Sequence, residues 1–66
     1  MTEQEIQLLR KWVHDLNNRV GTILATAELM QTEQLSSKAS DRSRIIEAKA
    51  LELREIIQQI SVHYLE

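Results

Sequence analysis

Apolar residues recur along the first half of this chain in alternating steps of three and four, without a break. Ile6, Leu9, Val13, Leu16, Val20, Ile23, Ala27 and Met30 form one continuous run. That spacing keeps side chains on one face of an α-helix, so the run is a heptad seam with Ile6 at position a. The chain has no proline and a single glycine, Gly21, which leaves almost nothing to interrupt a helix. A second run follows at Ile46, Ala50, Leu53, Ile57, Ile60 and Tyr64, broadened by Ile45 and Ile56. Between the two, from Thr32 to Ser40, only Leu35 and Ala39 are apolar and the rhythm fails.

The expectation is an all-α fold, with helix 1 over about residues 3–31, a turn over about 32–40 and helix 2 over about 41–65. Thr2 and Glu5 fit a capping box at the start of helix 1, and Glu3 adds negative charge at the positive end of its dipole. Ser40 or Asp41 is the expected N-cap of helix 2. On its exposed side, Asp41–Arg44, Arg44–Glu47 and Lys49–Glu52 have the spacing of ion pairs. Two helices joined by a short turn fold back antiparallel. Trp12 and Leu24 widen the first stripe as Ile45 and Ile56 widen the second, beyond what one neighbour needs. Pairing two hairpins into a dimeric four-helix bundle buries that surplus, and oligomerisation is a common rescue for a chain of 66 residues.

Composition removes several function classes. Without cysteine there is no disulfide and no thiolate metal site. A net charge of −2 argues against a general nucleic-acid surface. No apolar run approaches the ~20 residues that span a bilayer, and no signal peptide is visible. The expectation is a cytoplasmic chain without direct membrane contact, or the cytoplasmic piece of a membrane-anchored protein.

Within helix 1, the stretch Val13-His14-Asp15-Leu16-Asn17-Asn18-Arg19-Val20-Gly21 carries the chemistry. His14 and Asn18 are four apart and stack on one face, with Asp15 adjacent. They occupy heptad positions b, c and f, off the seam. A carboxylate beside a histidine can accept the Nδ1 proton and leave Nε2 as the nucleophile. An amide one turn away can orient a water or a phosphoryl oxygen without titrating. Metal binding fits poorly, because a carboxamide is a weak ligand and no second histidine or cysteine stands at i+3 or i+4. His63, near the end of helix 2, reads as a rim histidine. Hydrolysis by a triad lacks a serine or cysteine beside His14. Gly21 lies seven residues beyond His14 and should cost helix 1 about 1 kcal/mol against alanine. Two accounts stand for it: surface drift, or room for another backbone near the histidine.

The residues His14-Asp15-Leu16-Asn17-Asn18, followed by Val20, Ile23 and Ala27-Glu28-Leu29-Met30, resemble the H-box of sensor histidine kinases. More narrowly, the stretch is similar to their dimerisation and histidine-phosphotransfer domain in the His-Asp-Leu-Asn-Asn subgroup. Helix 1 carries the likeness, while helix 2 agrees only in length and pattern. The resemblance implies that His14 accepts the phosphoryl group, that Asp15 acts as its general base and that Asn18 positions water for phosphatase activity. Many relatives place a proline where Arg19 stands here, so a straighter helix is expected.

The implied partners are a second copy of the chain, a response-regulator receiver domain and an ATP-binding kinase domain in cis or in trans. ATP and Mg²⁺ belong to those partners, since this chain has no Gly-rich segment or acidic cluster to hold them and binds no cofactor of its own. Alone it should not autophosphorylate. The contrasting reading is a structural helical-hairpin adaptor whose histidine is incidental.

Overall fold

The computed structural model describes all 66 residues as two long antiparallel helices packed against each other, 50 × 15 × 13 Å overall. Helix α1 spans Glu3–Met30 and α2 spans Ser37–Leu65. The fold is therefore all-helical, a hairpin without strands. No helix is long and apolar enough to cross a membrane.

The start of α1 is a complete capping box. The Thr2 hydroxyl accepts from the Glu5 backbone N–H at 3.1 Å, and the Glu5 carboxylate accepts from the Thr2 backbone N–H at 3.2 Å. At the other end the Gln31 N–H is shared between the Ala27 and Glu28 carbonyls, and the Thr32 hydroxyl donates to Leu29 O at 2.7 Å. These bonds satisfy carbonyls that a helix end leaves open. With arginine at position 19, α1 runs unbroken from Glu3 to Met30.

Helix α2 begins earlier than expected. Ser36 is the N-cap, its hydroxyl accepting from the Ala39 N–H at 3.1 Å, rather than Ser40 or Asp41. Ser36 is cap-competent, so the helix starts at the first opportunity and gains a further turn of backbone hydrogen bonds, beginning with Ser40 N–H to Ser36 O at 2.9 Å. The connection shrinks accordingly to residues 31–36. Of the three ion pairs anticipated on α2, only Lys49–Glu52 forms, at 3.0 Å.

The interior is narrow. Val13, Val20 and Ala27 on α1 are buried, as are Ser43, Ala50 and Ile57 on α2, each series spaced by seven. Leu24 joins them, and Leu9, Ile60 and Leu65 pack against the edge. Three of these buried positions, Ala27, Ser43 and Ala50, carry small side chains. Ser43 is wholly buried and still satisfied, because its hydroxyl donates to Ser40 O at 2.8 Å.

Only half of each seam is used inside the hairpin. Leu16 and Ile23 on α1 stand 46% and 45% exposed, and Leu53 on α2 stands 47% exposed. Trp12, Ile46 and Ile56 are exposed as well. At about 100° per residue, these six positions lie on the same side of the plane through the two helix axes. The hairpin thus has an uncovered apolar flank.

Candidate functional site

The opposite flank carries the histidine. Taking Val13 as the contact point with α2, Asn17 lies about 40° round the helix and His14 about 100°, both away from Leu16. Both residues are exposed, as is Asn18. The Asn18 carboxamide nitrogen lies 3.2 Å from His14 Nε2. An amide nitrogen can only donate, so the ring nitrogen is the acceptor in this contact. Its effect is to place the amide directly on the lone pair that a nucleophilic Nε2 would use.

Asp15 goes elsewhere. Adjacent residues on a helix diverge by about 100° and do not face each other. The structure pairs Asp15 with Lys11, whose ammonium donates to Oδ2 at 2.7 Å. Arg19 donates to the Asp15 backbone carbonyl at 3.2 Å. The anticipated hydrogen bond from His14 Nδ1 to Asp15 is therefore absent. Of the three residues singled out in the sequence, the hairpin brings His14 and Asn18 together and directs Asp15 into a shallow depression with Trp12, Leu16 and Arg19.

The Lys11 hydrogen bond holds the Asp15 carboxyl below its ordinary value of 3.8; residual desolvation opposes it, and the charges of Lys11, Arg19 and His14 add to the lowering. Lys11 was not among the residues anticipated for the site, although its spacing of four from Asp15 is the signal that would have found it.

Gly21 shares the histidine flank. A β-carbon added there would meet nothing within 4 Å, so packing within the hairpin does not require glycine. Beyond it, the Thr22 and Thr26 hydroxyls donate to the carbonyls of Asn18 and Thr22, at 3.1 Å and 2.7 Å. Backbone around Asn18 is thus tied by a side chain on its C-terminal side.

No cluster of three or more histidine, cysteine, aspartate or glutamate side chains gathers anywhere in the chain. His63 is exposed on the last turn of α2, edge-on to Tyr64 with ring centroids 4.6 Å apart. Comparisons with protein families, characterised proteins and solved structures give no match to this chain.

The ion pair yields a direct test. Lys11→Met should move the Asp15 titration, followed by its carboxyl carbon NMR shift, up toward the ordinary 3.8. A lowered folded-state pKa stabilises the folded chain above the unfolded pKa, and that contribution disappears as pH falls through the lowered value. The stability gap between wild type and Lys11→Met should therefore be full above about pH 4 and close on further acidification. An Asp15 titration that ignores Lys11 would show that the pair does not persist in solution.

Proposed function

We propose that this chain is the phospho-accepting dimerisation domain of a two-component signalling system, taking a phosphoryl group on His14 and passing it to a receiver aspartate. The observation that carries the reading is the exposed His14 with Asn18 one turn on and 3.2 Å away, on the flank opposite the apolar surface. The residues around them supply the H-box likeness, His14-Asp15-Leu16-Asn17-Asn18.

In this reading Nε2 of His14 attacks the terminal phosphorus of ATP held by a kinase domain, and ADP departs with its Mg²⁺. Before that attack the Asn18 amide must leave Nε2. Afterwards the same amide lies within a turn of the phosphoryl group, where it can hold a water in line for dephosphorylation of a bound receiver. By the H-box likeness Asp15 is the base, a role that requires its side chain to leave Lys11 and swing round the helix toward the His14 ring. An exposed pair of this kind contributes little, so it yields readily. Gly21 keeps the surface beside His14 low and admits another backbone.

The apolar flank has a second copy of the hairpin as its occupant, giving a four-helix bundle with His14 on the outside. Trp12, Leu16, Ile23, Ile46, Leu53 and Ile56 form a continuous band of the width that such a bundle covers. A structural adaptor needs that band equally, but it does not need His14.

Three substitutions separate the roles. His14, Asp15 and Asn18 lie outside the buried core, so alanine at His14 or Asn18 should change stability by no more than about 0.5 kcal/mol. His14→Ala should abolish phosphorylation. Asp15→Asn should slow phosphorylation by an added kinase domain roughly 10²-fold, the usual range for losing a positioned base. Asn18→Ala should leave phosphorylation nearly intact, since it only frees Nε2, and should lose receiver dephosphorylation. If Asn18→Ala blocks phosphorylation and spares dephosphorylation, the assignment of that residue is wrong. An adaptor predicts no effect from any of the three.

Assembly is read by the single tryptophan. Trp12 emission should move to shorter wavelength with rising concentration, in step with a doubling of mass by light scattering. Leu16→Glu and Leu53→Glu should each keep the chain monomeric, because a charge buried unpaired in the interface costs several kcal/mol. A wild-type chain that stays monomeric and fully helical at micromolar concentration would remove the bundle.

A further inference from the structure

On the histidine flank, a groove runs between the helices and is lined by Asn17 of α1 and Arg54, Gln58 and Ser61 of α2. Every lining side chain is polar and none is a carboxylate. The two ion pairs of the chain are Lys11–Asp15 and Lys49–Glu52, which leaves the Arg54 guanidinium without an ionic partner. On its own helix the residues three and four away from Arg54 are Ala50, Leu51, Ile57 and Gln58, all uncharged. Asn17 stands three residues from His14, on the adjoining strip of the same helix face. Arg10, four residues before His14, adds a second positive charge to that flank. An unpaired guanidinium among neutral amide and hydroxyl donors is the chemistry that recognises a phosphate-like dianion through charge-assisted hydrogen bonds.

We propose that the Asn17–Arg54–Gln58–Ser61 groove binds a phosphoryl dianion and that Arg54 is a positioning residue for the group exchanged at His14. The first half concerns anion binding alone, while the second rests on the phosphotransfer reading above. Free phosphate and a phosphoryl group bonded to His14 share this chemistry, and two measurements distinguish them.

In the first, the chain is titrated with inorganic phosphate and followed by NMR of the Arg54 Nε–H and the Asn17 and Gln58 side-chain amides. These signals should shift together and saturate. Arg54→Gln should weaken the binding about 10-fold or more, the scale of a charge-assisted hydrogen bond. Arg42→Gln makes the same change in net charge at an exposed site near the turn and should alter it less than about 2-fold. No response at Arg54, or equal weakening by both variants, overturns the groove as a site. Both positions are exposed and helical, and glutamine is a good helix former, so circular dichroism should match wild type.

In the second, the chain is treated with phosphoramidate, which needs no kinase. His14 Nε2 attacks phosphorus, the P–N bond of the reagent breaks, ammonia leaves and the ring sheds its Nδ1 proton to solvent. Phosphorylation should move the Arg54 Nε–H signal in the absence of free phosphate, and Arg54→Gln should slow the reaction at least 5-fold, within the range of one charge-assisted hydrogen bond. A phosphohistidine that forms at the same rate in Arg54→Gln, with the Arg54 signal unmoved, overturns the positioning role. Failure of His14 to accept the group, with Arg54-dependent phosphate binding intact, defeats the phosphotransfer reading and the positioning role while leaving the anion site. Loss of phosphate binding with normal phosphohistidine formation defeats the site and leaves that reading.

Discussion

The packing of Val13, Val20 and Leu24 on α1 against Ala50 and Ile57 on α2, with Ala27 and Ser43 buried beside them, is what the rest of this hairpin depends on. Two buried series spaced by seven, Val13, Val20 and Ala27 on α1 and Ser43, Ala50 and Ile57 on α2, mark the line of packing. Once the line is set, each helix has a left and a right. One side receives Trp12, Leu16, Ile23, Ile46, Leu53 and Ile56, and the other receives His14, Asn17, Gly21, Arg54 and Gln58. One flank is thus apolar, while the other carries the polar groups around His14 together with the exposed Leu51.

How much of this was legible in the sequence depended on how local the cause was. The capping box at Thr2 and Glu5 needs only residues three apart, and it forms as written. The two helices follow from uninterrupted three–four spacing, and both are present. The start of α2 was less legible, because Ser36, Ser37, Ser40 and Asp41 can all cap and local pattern does not rank them. Ser43 was invisible to a search for apolar residues. Its hydroxyl is satisfied by Ser40 O within the helix, so it enters the interior as a small side chain. The seam was correct as a pattern and overcounted as a core, because the hairpin buries Val13, Val20 and Ala27 and leaves Leu16, Ile23 and Leu53 half open.

The candidate site divides in the same way. The pairing of His14 with Asn18 is an i, i+4 relation that spacing alone dictates, and the 3.2 Å contact follows it. Placing Asp15 against His14 treated neighbours in sequence as neighbours in space, and the 100° turn between adjacent helical residues defeats that. Lys11 meets Asp15 instead, at 2.7 Å. Arg54 belongs to a different class, because its relation to Asn17 exists only across the two helices and depends on their register. In the hairpin an amide therefore sits on His14 Nε2 and an ammonium on the Asp15 carboxylate. Contacts so exposed are individually weak.

Phosphorylation of His14 is the central claim, and its chemical signature makes it directly measurable. The chain is incubated with a kinase ATP-binding domain and ATP–Mg²⁺, or with a phosphorylated receiver domain, and the product is mapped by mass spectrometry and phosphorus NMR. The account predicts a P–N-bonded phosphate on His14, labile in acid and stable in base, that drains to an added receiver domain. No phosphate on His14 under conditions where the same partner phosphorylates its own hairpin, or acid-stable phosphate on a serine or threonine, would contradict it.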